Sequence, residues 1–242
     1  ERRTTLARWN RKGRASQVLA ANADLAVCVT STRSPPFRPR FIDRLAAAAE
    51  DGGLEVLILV NKCDLACGEE ELDRLEDFRR IGYRVHRCSA VTAAGIPELA
   101  RLLAGRTAVF VGQSGVGKSS VLNALSPGLG LRVGGISARY DRGIHTTTNA
   151  ALFVTADGLQ LIDTPGIREL LLAGIELHDL AFRFREFAPF VPACGVAACL
   201  HEDEDGCAVR AAVEAGKVHP DRYESYLRVL AELRESGRSS HG

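Results

Sequence analysis

Gly112-Gln113-Ser114-Gly115-Val116-Gly117-Lys118-Ser119 follows the apolar run Thr107-Ala108-Val109-Phe110-Val111 and fits the pattern GxxxxGK[ST]. The context reads as a strand, a glycine-rich loop and the start of a helix that Ser119 and Ser120 open. A phosphate chain needs backbone N–H groups close around its oxygens, which glycine permits at the tight positions, and a helix N-terminus whose dipole favours anions. In that frame Gln113 to Gly117 wrap the phosphates, Lys118 reaches the β- and γ-phosphates, and the Ser119 hydroxyl holds Mg²⁺. Such a loop says nucleoside triphosphate without saying which base.

The base is read elsewhere. Asn61-Lys62-Cys63-Asp64 fits NKxD and ends the apolar run Leu54-Glu55-Val56-Leu57-Ile58-Leu59-Val60. A carboxylate at Asp64 accepts from both the ring N–H and the exocyclic amine of guanine. Adenine offers neither donor there, a mismatch that discriminates by roughly 10⁴ or more. Asn61 is expected to bond the base edge, and Lys62 to lie against the base and the phosphate loop. Cys88-Ser89-Ala90 follows the strand-like Tyr83-Arg84-Val85-His86, and its Ser89-Ala90 backbone suits the guanine carbonyl. Downstream, Leu159-Gln160-Leu161-Ile162 leads into Asp163-Thr164-Pro165-Gly166, a DxxG element in which Asp163 faces Mg²⁺ through water and the Gly166 N–H faces the γ-phosphate. Base recognition therefore precedes phosphate recognition along the chain, the reverse of a Ras-like order.

Between these motifs the pattern alternates strand and helix. Residues 24–30 read as the first strand of a sheet, and residues 39–50 as a helix with Phe41, Leu45 and Ala48 on one side. Residues 68–80 read as a second helix, with Leu72, Leu75 and Phe78 inward, and residues 96–104 as a short third. This alternation predicts a mostly parallel sheet covered on both faces, with ligands at the C-terminal strand ends. Residues 151–154 and 159–162 read as a hairpin turning at Asp157-Gly158. The stretch from Val133 to Thr148 is glycine-rich, basic and poor in apolar periodicity, as a nucleotide-sensing loop needs. Within it one of Thr146 and Thr147 completes the Mg²⁺ shell, with Thr147 taken as the ligand.

Near the C-terminus Leu177, Leu180, Phe184 and Phe187 recur at helical spacing and read as core. Beyond them Cys194, Cys199, His201 and Cys207 are spaced C-x4-C-x-H-x5-C. Three thiolates and one imidazole fill a tetrahedral structural Zn²⁺ site and leave no open position for catalysis. Pro192, Gly195 and Gly206 supply the turns of such a knuckle, and the acidic run Glu202 to Asp205 reads as a solvated face. Residues 208–215 and 221–235 read as helices, the latter with Tyr223, Leu227, Leu230 and Leu233 on one side. A module this small has little core, so zinc is expected to supply much of its stability.

Composition bounds the remaining possibilities. A chain of 242 residues has room for one α/β domain and a small appendage, and 46% hydrophobic with 25% charged residues marks it as globular. With net charge +1 it is no general polyanion binder, so RNA contacts fall to local patches. The run Glu1 to Arg14 is one such patch, with Arg2, Arg3, Arg8, Arg11, Lys12 and Arg14 around Trp9; RNA binding and a solvated tail explain it equally well. No apolar run reaches the ~20 residues that cross a bilayer, and the start lacks a signal-peptide pattern, so the expected location is the cytoplasm. Seven cysteines, four of them scattered, fit reduced thiols with one metal site better than a disulfide framework.

With its permuted motif order and its C-terminal knuckle, the chain from about Ala15 onward resembles the bacterial ribosome small-subunit-dependent GTPase A family. The resemblance implies a fold class of α/β, a circularly permuted P-loop GTPase domain (residues 21–175) followed by a zinc-binding helical module (residues 176–242). It also implies an N-terminal OB-fold, of which residues 1–20 resemble the end and a linker. Family members have a basic residue where this chain has Ile144 and a proline where it has Asp205. The implied activity is GTP hydrolysis in late maturation of the 30S subunit, stimulated by that subunit. Implied cofactors and partners are Mg²⁺ with GTP, one structural Zn²⁺, GTP or GDP, and the 30S subunit with its 16S rRNA, for a monomer off the membrane. Competing readings are a nucleotide-dependent ribosome placeholder with incidental hydrolysis and a permuted GTPase of the large subunit. In Ras-type enzymes a glutamine follows the DxxG glycine, whereas here Ile167 does; nor does Gly115 match the asparagine of potassium-activated GTPases. The expected catalytic group is therefore His145, or one supplied by the ribosome, acting beside Lys118.

Overall fold

The computed structural model describes residues 1–10, 15–131, 150–167 and 169–239. His145, Thr146 and Thr147 lie outside the described residues, as does the whole of the predicted sensing loop.

Six strands form the central sheet: β3 (Leu25–Ser31), β4 (Glu55–Asn61), β5 (Arg84–Arg87), β6 (Thr107–Gly112), β7 (Ala151–Val154) and β8 (Gln160–Asp163), in the order β5-β4-β3-β6-β8-β7. All neighbours run parallel except β7, which returns antiparallel along β8. Strand β3 is buried at every residue, as expected of a strand covered on both faces. Its period of two splits the core: Ala26 and Cys28 face one side with Ile58, Val60, Val109 and Val111, while Val27 and Val29 face the other with Leu57, Leu59 and Phe110. Helices α3 (Ile96–Leu103) and α4 (Lys118–Leu125) cover the second side. Helices α1 (Pro39–Asp51) and α2 (Glu69–Arg80) cover the first.

The N-terminal run is not a free tail. Strands β1 (Thr5–Asn10) and β2 (Ala15–Ala21) pair antiparallel, Leu6 is buried in the main core, and the Trp9 N–H donates to the Leu171 carbonyl at 2.9 Å. The Thr5 N–H donates to the carbonyl of Gly52 at 3.0 Å, at the end of α1. A Cβ on Gly52 would collide with the Thr5 carbonyl, so this approach requires glycine.

Three expectations change on packing. Leu72 is 42% exposed; the inner face of α2 carries Arg74 and Asp77 beside Leu75 and Phe78. Leu180, Phe184 and Phe187 are buried and Leu177 partly so, but only a 3₁₀ turn, Leu180–Arg183, forms there. On α6 (Pro220–Ser239) the buried set is Arg222, Ser225, Tyr226, Val229, Leu230 and Leu233, with Tyr223 and Leu227 partly buried. With α5 (Ala208–Glu214), this C-terminal region joins the same core cluster as α1 and α2. The premise of a small module with little core therefore does not hold.

The predicted periodicity finds Leu230 and Leu233 but misses the rest of α6's inner face, where a charged residue stands. Arg222, fully buried, donates to Glu186 at 2.5 and 2.8 Å and to Asp43 of α1 at 2.8 Å, and its guanidinium lies 4.6 Å from the Phe184 ring centroid. Arg74 joins the same network, donating to Asp77 at 2.5 Å and to Asp43 at 3.4 Å. Removing one partner of a buried ionic network strands the others without water, a loss far above that of an exposed pair. Arg222→Ala is expected to cost about 3–5 kcal/mol in denaturant-induced unfolding; a loss below about 1 kcal/mol would show that the network behaves like surface pairs.

Candidate functional site

Because β3, β4, β5, β6 and β8 run parallel, the loops that leave their C-terminal ends gather along one edge of the sheet. The glycine-rich loop leaves β6, the NKxD loop leaves β4, the Ser-Ala loop leaves β5 and the DxxG loop leaves β8. Four motifs spread from residue 61 to residue 166 thus come to one place.

Asn61, the last residue of β4 and 2% exposed, joins three of these loops. Its amide donates to the Val116 carbonyl of the glycine-rich loop at 2.9 Å, and its Oδ1 accepts from the Ala90 N–H at 3.1 Å. Gly117 opens α4 at φ +91, where a Cβ would collide with the same amide. Lys62, at φ +64, reaches across the loop, its Nζ donating to the Gly115 carbonyl at 2.7 Å and to the Ser34 carbonyl. Asp64 is exposed and forms no ion pair among the described residues, so its carboxylate is available to an outside donor. Ser89 is buried; its N–H donates to the Ala94 carbonyl at 2.8 Å and its Oγ accepts from the Thr92 N–H at 3.2 Å. Both backbone N–H groups of the Ser89-Ala90 pair are therefore engaged within the protein.

On the phosphate side Lys118 pairs with Asp163, both nearly buried. Thr164 is buried and donates its hydroxyl to the Phe110 carbonyl at 2.7 Å, and the Ile167 N–H donates to the Gly112 carbonyl at 3.1 Å. These two bonds clip the DxxG loop to β6, and Gly166 lies beside the Ser114 backbone. Ser119 and Ser120 are partly exposed at the start of α4. A cationic lysine, a carboxylate and a serine hydroxyl around a glycine cradle suit a triphosphate with Mg²⁺.

The four predicted zinc ligands also converge. The ligand atoms of Cys194, Cys199, His201 and Cys207 lie within 4.8 Å of one another, with His201 Nδ1 at 3.5 Å from the Cys194 Sγ and 3.4 Å from the Cys207 Sγ. Zinc–sulfur and zinc–nitrogen bonds of about 2.3 and 2.0 Å imply a tetrahedral edge of roughly 3.5 Å, so the donor set fits. Burial lowers the His201 pKa against the upward pull of Glu204, keeping the imidazole neutral as a ligand must be. Burial pushes the Cys199 thiol up to about 12, so thiolate forms there only with a cation to stabilise it.

The acidic run is not simply a solvated face. Glu204 accepts from the Leu200 N–H at 2.6 Å and the Glu202 N–H at 2.8 Å. Burial alone would raise its pKa, yet these donors hold it down at about 2. Glu202 accepts two bonds from Arg234, at 2.9 and 2.5 Å, while Asp203 and Asp205 are exposed. From α6, the hydroxyl of Tyr223 donates to the His201 carbonyl at 2.7 Å and that of Tyr226 to the Leu200 carbonyl at 2.8 Å. Motif reading overlooks these supports; their one sequence signal is the i, i+3 spacing of the two tyrosines.

The family model described as RsgA GTPase matches residues 1–173. A relative from Chlorobaculum parvum, named small ribosomal subunit biogenesis GTPase RsgA, is 45% identical over 242 residues, which are 97% of this chain and 77% of the relative. The protein of the same name from Geobacillus kaustophilus is 45% identical over 218 residues, 89% of this chain and 74% of its own. Among solved structures, YjeQ from Thermotoga maritima matches with a TM-score of 0.77 at 34% identity, covering 96% of this chain and 76% of that one. YloQ, a circularly permuted GTPase, matches with a TM-score of 0.71 at 31% identity, covering 97% and 73%. The NKxD and Ser-Ala loops stand before the glycine-rich loop in sequence and beside it in space, the arrangement of a circularly permuted GTPase, and the chain belongs to the RsgA GTPase family.

Proposed function

We propose that this GTPase acts in late maturation of the small (30S) ribosomal subunit, as a monomer in the cytoplasm, and that the subunit with its 16S rRNA stimulates hydrolysis. Relatives covering nearly the whole chain are named for small-subunit biogenesis, which supports the choice of subunit over the large-subunit alternative. Among the described residues no helix is long and apolar enough to cross a membrane.

The observation that carries the stimulation is Ile167. It is buried, its N–H is held by the Gly112 carbonyl, and its side chain offers no group to an attacking water. Lys118 supplies charge at the phosphates, and Ser119, Asp163 and Thr147 would hold Mg²⁺, which would supply further positive charge there. Binding exchanges the Lys118–Asp163 pair for contacts of each residue with its own partner. The water falls to His145 or to a ribosomal group.

For the base, Asp64 reads the two guanine donors. Asn61 keeps a second amide hydrogen for the base edge, and a guanine carbonyl competes with Asn61 Oδ1 for the Ala90 N–H. Lys62 already lies against the glycine-rich loop.

Three outcomes test this reading. Single-turnover hydrolysis is expected to be slow alone and to rise with 30S subunits by up to about 10³ to 10⁵, with most of the gain lost in His145→Ala; fast turnover that 30S subunits leave unchanged contradicts it. Asp64→Asn is expected to erase most of the roughly 10⁴ preference for GTP over ATP in competition titrations and to favour xanthine nucleotides; an unchanged GTP/ATP ratio rules out its role. Elemental analysis is expected to find one zinc per chain in the wild type and none in Cys207→Ser. Because α6 shares the GTPase core, that variant is expected to keep its guanine-nucleotide affinity, and losing both together would show that the knuckle holds up the whole fold.

A further inference from the structure

A cavity of about 430 Å³ lies where four parts of the chain meet: the start of α1, Gln113 of the glycine-rich loop, the segment Glu169-Leu170, and Asp221 of α6. The volume falls in the range of small-molecule sites. Its walls include Phe37, Phe41 and Leu170, the last two nearly fully buried, so its body is apolar.

The polar groups around it are unequal. Arg40 is bonded to Glu224 at 2.6 Å and to Asp221 at 3.4 Å, and Arg44 holds Glu232 with two bonds of 2.5 and 2.6 Å. Arg38 is exposed and forms no ion pair among the described residues. Glu169, which also lines the cavity, is itself engaged. An apolar body with the Arg38 cation and the Gln113 amide in its lining suits a ligand that joins a ring to an acid group.

Its position ties it to the nucleotide. Leu170 follows the DxxG loop, which the Ile167–Gly112 bond and the Gly166–Ser114 approach hold against the glycine-rich loop. Glu169 and Leu170 stand three and four residues beyond Gly166, so a γ-phosphate that draws the Gly166 N–H toward itself pulls on the segment that carries this wall. We propose that this cavity is a binding site for an aromatic anion, and that its affinity reports the nucleotide state. The second half rests on the proposed GTP cycle; the first does not.

The probe is 8-anilinonaphthalene-1-sulfonate, an aromatic anion whose fluorescence rises in apolar surroundings. It is titrated into the full chain without nucleotide, with GDP and with a non-hydrolysable GTP analogue, and into Arg38→Glu and Arg38→Trp, whose folding is checked by circular dichroism. The expected result is one saturable site per chain, weakened about tenfold by Arg38→Glu as attraction becomes repulsion, and lost in Arg38→Trp, which fills the mouth. Affinities with GDP and with the analogue are expected to differ at least about fivefold, and the probe to shift the GDP/GTP preference by the same factor. Absence of a saturable site, or one that neither substitution changes, overturns the site. Equal affinity in both nucleotide states, with the Arg38 dependence intact, overturns the coupling. The titration without nucleotide keeps the site testable even if guanine nucleotides fail to bind.

Discussion

The side-chain amide of Asn61 is the contact on which the nucleotide site depends. It sits at the end of β4, shielded from water, and is bonded at once to the glycine-rich loop and to the Ser-Ala loop. An amide carries both donor and acceptor, so a single residue joins a carbonyl from one loop to an N–H from another. Without it, the Val116 carbonyl would be left buried and unpaired at roughly 1–3 kcal/mol, and the half-buried Ala90 N–H would lose its partner at a smaller cost. The same contact excludes any side chain at Gly117, so the base-reading and phosphate-reading halves constrain each other directly.

This contact also shows why the permuted order is tolerated. A parallel sheet requires that strands lie side by side with their loops along one edge, and it does not require that the loops follow one another in the chain. Helix α3 bridges the Ser-Ala loop to β6 in a few turns. The short distance from Ala90 to Thr107 replaces the connection that an unpermuted chain would make elsewhere.

Helix α1 has a comparable role at the other boundary. Its length meets β1 at Gly52, the network of Arg222 through Asp43, and α6 through Arg40 and Arg44. Arg183 and Arg185 pair with Asp51 and Glu50 at its far end. Of these, the pairs of Arg40, Arg44, Arg183 and Arg185 are partly exposed and contribute little. The buried Asp43–Arg222 contact adds little net stability over apolar packing but penalises any misregister severely. The region of the Cys194, Cys199, His201 and Cys207 cluster is thereby held in one position against the GTPase sheet.

Much of this was legible from residue order alone. The glycine-rich loop, NKCD, the DxxG loop and the Cys194, Cys199, His201 and Cys207 cluster rest on local spacing, and the strands beneath the three loops read as apolar runs because both their faces are covered. Periodicity was misled wherever a polar residue points inward: Leu72 and the inner face of α6 follow from assigning apolar residues to the core, whereas Arg74 and Arg222 are buried because partners distant in sequence meet them. Those partners, like the bonds from Tyr223 and Tyr226 to the knuckle, or from Asn61 to Val116 and Ala90, join residues about 20 to 180 positions apart. Such pairings leave no periodic trace in the chain, since a hydrogen bond constrains where two groups end up and not how far apart they are encoded. The sequence determined which chemistry is present, and the tertiary structure alone decided which groups are already engaged and which, like Asp64, stay exposed without an ion pair among the described residues.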